Sequence, residues 1–488
     1  MFSFSLKNEK GNVSFMLKTT VLVAALVSAF PASAKSNLKD TLSSFIAPSN
    51  DQSYRAVKLA DMANTPSESF GINSDQIYSG EMSLVAAVLV GLKQHPDITS
   101  AIANLASQND NLSVSKSAYY PQLSGEFTTG NFNSENRGRQ MYTISVNQMV
   151  YDFGKTKATV SVQEAKLLGA QANVLKSIDN LAERIAIAII NVSRYEELHK
   201  ISLSQLKGIG HIRDIAKMRV QAGIASEVDY IQAVSRYQNA QATEVMQKSL
   251  LNQWQEQLKI LLGGDIANVK FVVSDSIIKD SNLFETVNYS VIPQIIIANA
   301  SIQEATAEKK SVTLNQYPTI SLVGEVSKAI NGENPSNGKN NGTDSALMLK
   351  ASSNFYQGGA SQHRKNALAS AEYSAKANLR SAHLEINNEI LNIREVIQQS
   401  QTKIEILSER IQSSKLTKEL YQEQYTLGKR SILDLLTAEQ DIYSTLMDRE
   451  TTRSDVYQQI IKFINVTGRS RDVYDLNGKE IQGFKVEK

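Results

Sequence analysis

Apolar residues recur at alternating four- and three-residue intervals through Ile386, Ile390, Ile393, Ile397, Ile404, Leu407 and Ile411, with Ser400 filling one slot. That spacing is the seam of a coiled coil. A weaker version runs through Leu181, Ile185, Ala188 and Val192. Glycines bound both stretches, Gly154 to Gly223 and Gly359 to Gly428, and no proline occurs between Gln122 and Ile292 or after Gly359. About 66 residues at ~1.5 Å each predict a rod of roughly 100 Å. Helices of globular proteins are rarely that long, so each rod needs partners along its whole length. Shorter helical segments flank the first rod, Ser83 to Lys116 and Ala225 to Leu262. End to end they match its length. The pattern predicts one long helix against two stacked short ones, twice per chain, with the turns at Gly223 and Gly428 at the far tip.

Between Pro121 and Gly154 the period changes to two. Leu123, Gly125 and Phe127 alternate with Ser124, Glu126 and Thr128, and Tyr142, Ile144 and Val146 alternate with Thr143, Ser145 and Asn147. The second half repeats the pattern with Ile320, Leu322 and Val326, then Leu347, Leu349 and Phe355. A polar loop joins each pair, and the one from Asn331 to Asp344 holds three Asn-Gly pairs, a strong turn composition. Strands of about 10 to 12 residues have the length to cross a bilayer when tilted. Four strands cannot close a barrel, and an open sheet edge cannot sit in lipid. The chain is therefore expected to share a barrel with copies of itself; three copies would supply twelve strands.

The two halves are an internal repeat. Tyr120-Pro121 recurs as Tyr317-Pro318, an offset of 197. Val150 to Gly154 recurs as Phe355 to Gly359, Gly223-x-x-Ser226-x-x-Asp229 as Gly428-x-x-Ser431-x-x-Asp434, and Gly263 as Gly468, all at 205. The change of offset places eight extra residues between Pro318 and Gly359, and the Asn331–Asp344 loop is the expected site. The reading divides the chain into a signal peptide (1–34), an irregular N-terminal extension (35–82) and a first repeat (83–263) with a hairpin at 121–153. A linker (264–290), a second repeat (291–468) with a hairpin at 318–358, and a C-terminal tail (469–488) follow.

Composition narrows the classes. Net charge is +2 over 488 residues, which gives no field for nucleic acid. Lys18, the apolar run Val21–Phe30 and Ala32-Ser33-Ala34 form an export signal with an A-x-A cleavage site, and Met16 is an alternative start. There is no cysteine, which excludes disulfides, thiolate metal sites and lipid attachment at an N-terminal cysteine. The five histidines show no metal spacing. Gly208-x-Gly210 lacks the strand and later acid of a nucleotide loop, and no P-loop or nucleophile elbow is present. No catalytic, cofactor or metal residue is expected.

His95-Pro96, Tyr120-Pro121, Tyr356-Gln357-Gly358-Gly359 and Tyr425-x-x-Gly428-x-Arg430-Ser-Ile-Leu-Asp434, in that order and partly duplicated, resemble the TolC-like outer-membrane efflux and type I secretion proteins over roughly Ser83 to Gly468. The resemblance implies a mixed α/β fold. Four transmembrane β-strands per chain would contribute to a trimeric twelve-stranded barrel, above a periplasmic α-helical coiled-coil tunnel. Residues 264–290 and the tail would form an equatorial girdle. It implies a passive exit duct, a homotrimer working with a periplasmic adaptor and an inner-membrane ABC transporter or proton-driven pump. It also implies a gate at the tip: Tyr425 and Arg430 as latch residues, Asp434 as an acidic ring and Asp229 as its first-half partner. Thr437 stands where the family has a second acid, and Val228 where it has a threonine. Ser226-x-x-Asp229 and Ser431-x-x-Asp434 equally have capping-box spacing. A periplasmic coiled-coil adaptor without a pore remains the alternative on the residues alone.

Overall fold

A computed structural model describes residues 77–130, 139–274 and 276–486. The signal peptide and residues 35–76 of the extension lie outside these. In chain order the elements are β1 (Ile77–Ser83), α1 (Leu84–Gln94), α2 (Pro96–Lys116), β2 (Gln122–Gly130), β3 (Arg139–Tyr151), α3 (Lys155–Gln221), α4 (Glu227–Leu262), β4 (Asp265–Val272) and α5 (Ser276–Asp280). Then come α6 (Pro293–Leu314), β5 (Thr319–Asn331), β6 (Thr343–Ser352), α7 (Ala360–Thr426), α8 (Ile432–Val466), α9 (Ser470–Val473) and the short strands β7 (Glu480–Ile481) and β8 (Phe484–Lys485).

The two rods, α3 and α7, have 67 residues each. Each starts at a glycine in the left-handed region, Gly154 and Gly359, and ends in a turn whose glycine, Gly223 or Gly428, has φ of 72°. Only glycine adopts that conformation without steric cost. The seam residues Ile386, Ile390, Ile393, Ile397, Leu407 and Ile411 are buried, as are Leu181, Ile185, Ala188 and Val192; Ile404 packs on the same core half-buried. The helices lie side by side in two tiers. In one tier α2 packs on α3, α3 on α6 and α6 on α7; in the other α4 packs on α3, α3 on α8 and α8 on α7. α3 thus carries two short helices in each tier and α7 one.

The four long strands form one antiparallel sheet in the order β2-β3-β5-β6. Its edges are β2 from the first repeat and β6 from the second. The eight extra residues lie in the second hairpin: the register pairs Gln122 with Asn147 and Thr319 with Ser352, 25 and 33 residues apart, so the added length falls in the turn that holds the Asn331–Asp344 loop. Phe355, expected in a strand, lies beyond β6 and is exposed. The strand ends at Ser352 because its partner β5 begins at Thr319 and offers nothing further to pair with.

Two other expectations change. Residues 77–82, read as irregular, belong to β1, which pairs in parallel with β4. Ser79-Gly80-Glu81 has no apolar alternation, and its partner is distant in sequence. The segment Ser83–Lys116 is broken at His95–Pro96, where His95 is extended. Pro96 has no N–H, which frees the carbonyl of Leu92 four residues earlier. Gln482 Nε2 donates to that carbonyl and to His95 O, each at 3.1 Å, and Thr99 Oγ1 donates to Gln482 Oε1 at 2.6 Å.

One core runs through α1, the middle of α3, the ends of α4 and α8, the middle of α7 and the tail; a second, smaller one lies near the tips. The first holds a buried acid. Asp179 is 1% exposed, and burial pushes its carboxyl up to about 7 against the lowering influence of Arg471 and Ser470.

Candidate functional site

The two tip turns are built alike. Ile224 N–H donates to Arg219 O and Lys429 N–H to Gln424 O, the same bond at the repeat offset. Each following helix opens with a full capping box, Ser226 with Asp229 and Ser431 with Asp434. Asp229 N–H donates to Ser226 Oγ at 3.3 Å and Asp434 N–H to Ser431 Oγ at 3.2 Å. Both carboxylates accept the cap residue's own N–H at 3.3 Å. Within the chain both aspartates are helix caps.

Arg430 stays in its own turn. Its Nη1 is 3.8 Å from Asp434 Oδ2, its Nε donates to Gln424 Oε1 at 3.1 Å, and its guanidinium lies 4.5 Å from the Tyr421 ring centre. These contacts tie the end of α7 to the start of α8, within the second repeat. The link between the halves is another pair. Arg219, at the end of α3, stacks on the Tyr425 ring at 4.7 Å and donates to the Tyr425 carbonyl at 3.3 Å. Such a stack is stronger where water is excluded, and Tyr425 is 6% exposed. Burial raises the Tyr425 hydroxyl; Arg219 lowers it and Asp229 raises it. The structure thus groups Tyr425 with Asp229 and Arg219, and Arg430 with Asp434. A second bond, Arg236 Nη1 to Gln440 Oε1 at 3.0 Å, ties α4 to α8. Thr437 is exposed and donates to Leu433 O; Val228 is exposed.

Among the histidines, His199 contacts Glu244 at 2.8 Å, and His383 lies 4.9 Å from the Tyr289 ring. Gly208 and Gly210 are close approaches. A Cβ at 210 would lie 3.2 Å from the Tyr237 ring, and one at 208 would meet the Glu439 carboxylate.

At the opposite end of the rods the strand register sorts the sheet into two faces. One carries the rows Leu123–Val146–Gly324–Leu347, Gly125–Ile144–Val326–Ser345 and Phe127–Tyr142–Lys328–Thr343, with Gln148–Leu322–Leu349. The other carries Ser124–Ser145–Glu325–Ala346, Glu126–Thr143–Ser327–Asp344 and Met149–Ser321–Lys350. The first face is apolar and exposed, Leu349 at 70% and Leu347 at 61%. The second is mostly polar and charged, with Val323 and Met348 in its Gln122–Asn147 row. A bulge between Met149 and Tyr151 moves Tyr151 into the row of Ile320 on the apolar face. There it contacts Phe153, which stacks on Tyr317 at 5.5 Å. An aromatic cluster thus closes the apolar band at the helix end. No helix among the described residues is long and apolar enough to cross a membrane.

A duplicated rod-and-hairpin chain with a two-faced sheet defines a membrane-inserted channel subunit. The model of the outer membrane efflux protein family matches residues 91–264 and 292–469, one block per repeat, and the chain belongs to that family. It is 20% identical to the outer membrane efflux protein BepC of Brucella suis over 417 residues, 83% of this chain and 89% of that one. It is 20% identical to the outer membrane protein TolC of Vibrio cholerae over 409 residues, 80% and 92%. The crystal structure of VceC from Vibrio cholerae superimposes with a TM-score of 0.69 at 15% identity, covering 79% of this chain and 96% of that one.

Proposed function

We propose that the chain is one third of a passive exit duct. Three copies close a twelve-stranded barrel in the outer membrane above a helical tunnel in the periplasm. The carrying observation is that every layer has two free edges, one from each repeat. The sheet ends in β2 and β6, one helical tier in α2 and α7, the other in α4 and α7. An edge strand cannot stand in lipid. First-repeat edges facing second-repeat edges of the next copy make a head-to-tail contact, which closes into a ring. Exposed apolar residues line both sides: Leu384, Leu391, Ile406 and Leu416 on α7, and Val228, Ile231 and Val245 on α4. The apolar face of the sheet meets lipid, with Tyr151, Phe153 and Tyr317 at the interface. The polar face lines the pore.

Tyr425, Asp229, Arg430 and Asp434 form the gate together with Arg219. Arg219 holds the two tip hairpins of one chain together. Arg430 is exposed and Asp434 half-buried at the tip surface; both can meet other copies, and three copies of Asp434 would favour cations. Residues 1–34 are a removed export signal, and 264–290 with the tail make the equatorial girdle. A periplasmic adaptor and an energised inner-membrane pump supply the driving force, and no chemical step occurs in the duct. A pore-free adaptor would not need a sheet apolar on one face and charged on the other. The test is reconstitution of the full protein. Heat-resistant trimers from outer-membrane fractions and ion conductance in planar bilayers are expected; a water-soluble monomer without conductance overturns the reading.

A further inference from the structure

The buried acid nearest the gate lies outside the turn. Glu439 sits on α8, five residues after Asp434, at the junction of α3, α7 and α8. It occupies a seam position, with Leu435 and Ile442 buried four residues before and three after it. The side chain is 1% exposed, and Oε1 has no hydrogen-bond partner. Lys418 of α7 brings Nζ to 2.6 Å from Oε2, an ion pair that neutralises the carboxylate. The other oxygen presses on the α3 backbone at Gly208. A Cβ there would stand 2.0 Å from Oε1 and 3.4 Å from Tyr443 Oη. Glycine is what leaves this notch open.

We propose that Glu439, seated in the Gly208 notch and neutralised by Lys418, is a spring-loaded lock that sets the closed-to-open balance of the gate. The proposal rests on the duct reading. A buried carboxylate with one oxygen unpaired is costly to keep dry. Parting α8 from α3 hydrates it, so the acid pushes towards opening and the lysine holds it back. The signs follow. Lys418→Met strands the charge and favours the open state. Glu439→Gln removes the push and leaves the gate closed. In the double variant nothing remains to hold back.

The full-length trimer in planar bilayers tests this, with thermal melting and gel trimers as assembly controls. Lys418→Met is expected to raise the resting conductance or open probability at least about tenfold, given what an unpaired buried charge costs. Glu439→Gln is expected to leave it at or below the wild-type level, and the double variant to return to that level. If Lys418→Met does not assemble, Gly208→Ala displaces the carboxylate directly and is expected to give the same rise, reversed by Glu439→Ala. An assembled Lys418→Met trimer with wild-type conductance overturns the lock, as does a double variant as leaky as the single one. A wild-type protein that never conducts overturns the duct reading itself, a distinguishable result.

Discussion

The helices α3 and α7 have the same length, the same glycine start and the same glycine turn, yet they live in different surroundings. α3 buries 24 of its residues and α7 only 10. α3 has neighbours on both sides in each tier, whereas α7 is the edge of both. Its inner stripe, Ile386 to Ile411, is buried, while Tyr373, Leu384, Leu391 and Ile406 are left in the open. Duplication gave two equal rods, and their positions in the row made one a core and left the other at the edge. The difference teaches that, in the proposed duct, the free side of α7 is half of a contact completed by another copy.

The sharpest way to break this comparison is to charge that free side. Leu384→Asp with Leu391→Asp, one heptad apart, is expected to abolish the heat-resistant trimer on gels while circular dichroism keeps the helical signal. Trimers that persist would show that α7 does not face a neighbouring subunit. On the inner stripe, Ile393→Ala is expected to cost about 2–5 kcal/mol in denaturant unfolding, through lost burial and the cavity left behind. Leu391→Ala measured in the monomer is expected to change little, within about 0.5 kcal/mol; equal effects would erase the contrast.

A third prediction contrasts the α3 core with both tips. Asp179 is raised from 3.8 to about 7 by burial, so the folded state holds a proton that the unfolded chain releases. The stability this contributes is full below about pH 4 and is lost as the pH rises through about 7. Melting temperatures across that window are expected to fall, and Asp179→Asn is expected to flatten that part of the profile. The smallest effects compare the tips with each other. Ser226→Ala and Ser431→Ala each remove a cap bond of nearly equal length, Ser431→Ala also a hydroxyl bond to Asp434, and are expected to cost about 1 kcal/mol apiece. Clearly unequal losses in unfolding experiments would mean that the tips are less alike than their turns.

Much of the fold was legible because it rests on local or periodic signals. Helix ends follow from glycines, which alone take the left-handed turn readily, and the Ile seam marks the face that packs. Strand faces follow from alternation, and the offset of 205 aligns the halves. What escaped lacks such a signal. β1 is polar and pairs with a strand nearly two hundred residues away. The stack of Arg219 on Tyr425 joins residues 206 apart, which no helical spacing announces. Glu439 and Asp179 read as ordinary acids on long amphipathic helices, and only the packing reveals that both are dry. At the tip, the capping roles of Asp229 and Asp434 were readable from Ser-x-x-Asp. The placing of Arg430 within its own turn was not, because side-chain direction after a glycine turn is set in three dimensions.

The break at His95–Pro96 has a consequence for the order of synthesis. The carbonyl that Pro96 leaves unpaired is satisfied by Gln482, 390 residues beyond the Leu92 that owns it. A chain that emerges amino end first carries this joint open until Gln482 follows. The bend between α1 and α2 therefore closes only after both repeats have emerged, and a product truncated before Gln482 keeps an unsatisfied joint at the root of the first repeat.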